Sequence, residues 1–81
     1  MRRRYTLVRV KSPEETTRRY ALNSLRAYLE GQKNLNWIIG VIQSSGVRGS
    51  RLVQVFERLR DYGDSVRYVE AKTACEDRGW M

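Results

Sequence analysis

Chemistry at neutral pH needs side chains that exchange protons there, and this chain of 81 residues contains no histidine. No pair of carboxylates stands out in its place, so general acid–base catalysis lacks its usual residues. Cys75 is the single cysteine, which removes an internal disulfide and, without histidine, any plausible zinc site. The expectation is a protein that is not an enzyme and uses neither metal nor cofactor. What the chain carries in excess is positive charge: 16 Lys and Arg stand against 9 Asp and Glu, giving a net charge of +7 and a pI near 10.2. Such a balance points to a polyanionic partner, because each cation that neutralises a phosphate releases condensed counterions. Its distribution is uneven: residues 1–11 carry +5, 12–31 carry zero, 32–49 carry +2, 50–63 carry +1 and 64–81 carry −1. The plainer reading of the same numbers is a solubility charge with a basic tail.

One small domain has to position these residues, since a chain this short buries too little surface to support two cores. Its apolar content is ordinary and its charges are spread through the sequence, so a folded core is expected. No apolar run approaches the ~18 residues of a membrane span, and no apolar stretch follows the N-terminal arginines as it would in a secretory signal. A cytoplasmic location is expected, with no membrane partner.

Taken in order, Arg2, Arg3 and Arg4 form a basic arm, followed at 5–10 by YTLVRV, whose β-branched and aromatic residues predict a strand. Ser12 and Pro13 then open a helix: Ser12 suits the N-cap, Pro13 the first helical position, and Glu15 completes a capping box. Leu22, Leu25 and Leu29 give that helix an apolar stripe, widened by Ala21 and Tyr28, and Gly31 ends it. Arg18, Arg19 and Arg26 fall largely off the stripe, where a solvated face competes with phosphate contact. Tyr20 and Tyr28, at helical spacing, read as core or boundary residues.

After a loop at 31–36, residues 37–43 (WIIGVIQ) admit two readings. As a helix, Leu35, Ile38, Ile39 and Ile42 line one face; as a strand, β-branched richness and Gly40 are explained. The next helix is clearer, with Ser50 as N-cap, Leu52, Val55, Phe56 and Leu59 on one side, and Tyr62 and Gly63 closing it. Residues 64–72 (DSVRYVEAK) predict a second strand, entered by a Gly-Asp turn and able to pair through 66–69 with 5–10. The tail at 73–81 has no usable pattern, although Trp80 suggests that it packs.

Residues 37–62 resemble the helix-turn-helix of DNA-binding domains in a winged-helix-like variant, with Gly46 at the turn glycine, Val47 packing just after it, and Leu52 and Val55 on the inner face of the second helix. The resemblance covers about a third of the chain. It departs from the pattern at Ile42, where a small residue is usual, at Ser45, where an apolar one is common, and at Gly40 and Gly49. It implies a mainly α fold with a small two-stranded sheet, β-α-α-α-β, acting as a sequence-specific DNA-binding regulator and as a homodimer on double-stranded DNA. It also implies that Arg48, Ser50, Arg51, Gln54 and Arg58 reach the bases. Arg2, Arg3, Arg4, Lys33, Arg67 and Lys72 are expected on the DNA backbone.

Two other readings stand beside it. If 37–43 is a strand, the chain is an α/β protein, β-α-β-α-β, in which SSGVRGS feeds a helix N-terminus and binds RNA or a phosphate, though without the lysine and spacing of a P-loop. Alternatively, a small basic chain with no catalytic set serves as a protein-binding inhibitor or adaptor of the mobile-element type, with Trp37 or Trp80 as an interface anchor rather than a core residue.

Overall fold

The computed structural model describes residues 13–81, which form four helices: α1 (Pro13–Leu29), α2 (Leu35–Ser45), α3 (Ser50–Arg58) and α4 (Ser65–Asp77). The basic arm Arg2, Arg3, Arg4, the strand expected at 5–10 and the Ser12 cap lie outside the described residues. α1 is the spine and packs against each of the other three helices. Its Ala21, Leu25, Tyr28 and Leu29 meet Ile38 and Ile42 of α2, Leu52 and Phe56 of α3, and Ala71 and Cys75 of α4 in one buried core.

The turn chemistry explains where each helix starts and stops. Asn34 caps α2, its side chain accepting a hydrogen bond from the Trp37 amide at 2.9 Å. Gly46 ends α2 in the left-handed conformation (φ 75°), its amide donating to the Ile42 carbonyl, a geometry that costs an L residue about 1–2 kcal/mol. α3 begins one residue earlier relative to its cap than the sequence suggests: Gly49, not Ser50, holds the N-cap position, with no side-chain cap bond.

The expected sheet is corrected. Among the described residues there is no strand, so neither the winged-helix-like β-α-α-α-β order nor the α/β alternative holds. At 37–43 the apolar period outweighs the β-propensity, and Gly40 sits exposed on the outer face of α2, where it interrupts no packing. At 64–72 the chain is helical for a different reason. The Asp64 carboxylate accepts from the amides of Val66 (2.8 Å) and Arg67 (3.3 Å) and starts a helix, and Tyr68, Ala71 and Cys75 then fall at i, i+3 and i+7 on its buried face. The β-branched residues that suggested a strand, Val66 and Val69, are exposed.

Candidate nucleic-acid interface

α2 and α3 are joined by the turn at 46–49, and each packs on α1. Leu52, Val55 and Phe56 bury one side of α3, and Val47 is buried in the turn before it. Ser50, Arg51, Gln54 and Arg58 are exposed on its other side, with 50, 54 and 58 one turn apart along a single stripe.

Seven of the nine described arginines fall into two sets. The first is engaged internally. Arg48 donates to the carbonyls of Ile42 (2.9 Å), Val47 (2.9 Å) and Gln43 (3.2 Å) and stacks 4.3 Å from the Trp80 ring centroid. It therefore places its charge on the C-terminal carbonyls of α2, where the helix dipole favours a cation. Arg67 does the same for α1: it donates to the carbonyls of Tyr28 (3.2 Å) and Lys33 (2.9 Å) and lies over the Tyr28 ring. Arg26 lies over the Tyr62 ring, and Arg78 lies over the Trp80 ring at 5.7 Å.

The second set is Arg18, Arg19 and Arg58, which make no hydrogen bond, ion pair or ring contact among the described residues. They line an open groove of about 390 Å³ between α1 and α3, together with Gln54, Asn23 and Glu15. The structure thus brings two expected reading residues, Gln54 and Arg58, next to Arg18 and Arg19, for which the sequence leaves phosphate contact and a solvated face both open. The signal was present in the spacing: Arg18 and Arg19 stand one turn before Leu22 and so flank the apolar stripe that docks on α3.

The remaining expected contacts lie elsewhere. Lys33 sits over the Trp37 ring at 5.4 Å in the α1–α2 loop, and Lys72 is half-buried on α4. The Lys33 and Arg67 contacts meet at the C-terminal end of α1, about 15 Å of helix from Arg18. Trp80 is not a free anchor: its carbonyl accepts from the Gly49 amide at 2.7 Å, and its ring packs on the core and under Arg48.

No known family model, curated protein or solved structure matches the chain. The functional reading therefore rests on this geometry. No group of three or more His, Cys, Asp or Glu suited to a metal ion occurs among the described residues, and none of their helices is long and apolar enough to cross a membrane.

Proposed function

We propose that the chain binds double-stranded DNA sequence-specifically through α3, as a small cytoplasmic regulator without catalysis or cofactor. The observation that carries this reading is the two-sided character of α3. Its apolar side is locked into the core while Ser50, Arg51 and Gln54, at its N-terminal end, are exposed next to a turn that no side chain caps. An α-helix of this kind fits the major groove, where Arg matches the acceptor edge of guanine and Gln the paired donor and acceptor of adenine, each good pair contributing about 1–3 kcal/mol of discrimination. Arg48 and Arg67 have no part in this reading, because their donors are turned to helix C-termini. A homodimer belongs to the same proposal, since one such unit covers only a short half-site.

The test is a titration of duplex DNA libraries with wild type and with the Arg51→Ala/Gln54→Ala variant. Wild type should select a sequence, and the variant should bind with relaxed preference and unchanged helicity. Selection that survives the double change removes α3 as the reading element. A protein partner is the second reading, favoured by Val66 (64% exposed) and Val69 (58% exposed), which stand one turn apart on α4. It would be recognised by the absence of salt-dependent binding to any duplex.

A further inference from the structure

Resting on the reading of α3 as the DNA-facing helix, we infer that the groove between α1 and α3 is a seat for the sugar–phosphate strand, with Arg18, Arg19 and Arg58 as its phosphate ligands. Three observations converge on it. The groove is open and, at about 390 Å³, roomy enough for a phosphodiester to enter rather than only touch. Its walls come from two different helices, so arginines from both α1 and α3 line one common space. And these three arginines have no internal acceptor or ring contact, whereas Arg26, Arg48, Arg67 and Arg78 each stack on a ring and three of those also hold backbone carbonyls.

An exposed guanidinium with no partner is ordinary. Three of them lining one groove offer an anion several donors at once, and the planar fork of Arg suits phosphate oxygens. Glu15 is the groove's one carboxylate, so the lining keeps an excess of positive charge. Gln54 borders both the groove and the exposed stripe of α3, which puts the seat directly beside the reading residues. With α3 in the major groove, a strand bordering that groove runs between α3 and α1. Arg58, expected from the sequence to read a base, becomes a backbone ligand on this account.

The measurement is the salt dependence of binding to a mixed-sequence duplex, for wild type, Arg18→Gln/Arg19→Gln and Arg18→Lys/Arg19→Lys. Each lost phosphate contact lowers the slope of log K against log salt by about 0.9. The glutamine variant should lose between one and two such steps, weaken binding to all sequences alike, and keep the thermal midpoint of wild type. The lysine variant should retain most of the slope. An unchanged slope in the glutamine variant, with duplex binding intact, overturns the seat while leaving α3 as reader. Loss of sequence preference without loss of slope also overturns it, because the arginines would then be reading bases. If inorganic phosphate alone at millimolar concentration shifts the Arg18 and Arg19 side-chain signals while wild type binds no duplex, the groove is a small-anion site. Both the seat and the DNA reading then fall.

Discussion

Gly40 and Gly63 show how differently one residue type serves this chain. Gly40 lies in the middle of α2 with solvent beside it, and a Cβ added there meets nothing within 4 Å. Its backbone is not among those with positive φ, so glycine at this position contributes only the entropy it loses on folding. Gly40→Ala is expected to stabilise the protein by about 0.5–1 kcal/mol, read as a rise of a few degrees in the thermal midpoint by circular dichroism. Gly63 is the reverse case. It holds φ 68°, and a Cβ would lie 2.6 Å from the Leu29 carbonyl oxygen, the same oxygen that accepts from the Asp64 amide at 3.1 Å. Gly63→Ala should therefore destabilise by at least about 1–2 kcal/mol from the left-handed conformation alone, and by more because the clash is with backbone. Equal midpoints for the two variants would contradict this account of the α1–α4 approach.

At the scale of elements, the pose of α3 depends on a clasp that joins distant parts of the chain. Arg48 in the turn is held between the end of α2 and the Trp80 ring, and the Gly49 amide is held by the Trp80 carbonyl. Trp80→Ala should cost roughly 1–3 kcal/mol, less than for a fully buried Trp, and should lower DNA affinity without changing the salt slope, because no phosphate ligand is lost. Thermal melts and the same duplex titration read both effects, and an unaltered affinity would show that the turn needs no clasp. The clasp was not legible in the sequence. Local signals were: the Leu35, Ile38, Ile39 and Ile42 face, the turn glycine Gly46, and the inner face of α3 are all read from spacing and conformational preference. α4 was misread because Val66, Tyr68 and Val69 weigh towards a strand on propensity, although Asp64 and the Tyr68, Ala71, Cys75 spacing carried the helical answer. The roles of Arg48 and Arg67 could not be read at all, since which arginine meets a helix end is decided by packing between residues far apart in the chain. For the same reason, Arg18 and Arg19 looked like any solvated pair until α3 was set beside them.

At the scale of the molecule, the buried titratable groups predict a core that loses stability at alkaline pH. Cys75 is fully buried on α4, and burial pushes its thiol up to about 11 from 9.0, against a smaller opposing pull from Arg78 and Arg48. Burial also raises Tyr28, with a further push from the Glu70 carboxylate, and raises Tyr68, whose hydroxyl donates to the Phe56 carbonyl at 3.1 Å. In each case the folded value lies above the unfolded one, so between the two the folded state holds more protons than the unfolded state. Stability must then fall as pH rises through that window. The contribution of Cys75 is complete below about pH 9 and is lost on the way to about pH 11, with the tyrosines following above pH 10. For Cys75, a shift of this size corresponds to the order of 3 kcal/mol. Denaturant melts of wild type from pH 8 to 11 should show the decline beginning near pH 9, whereas Cys75→Ala, whatever its offset at pH 8, should stay level until the tyrosines begin to titrate. The neutral thiol should also be unreactive towards alkylating agents in the native state and react only on unfolding. A variant that loses stability in parallel with wild type between pH 9 and 10 would place the alkaline sensitivity outside the α4 core.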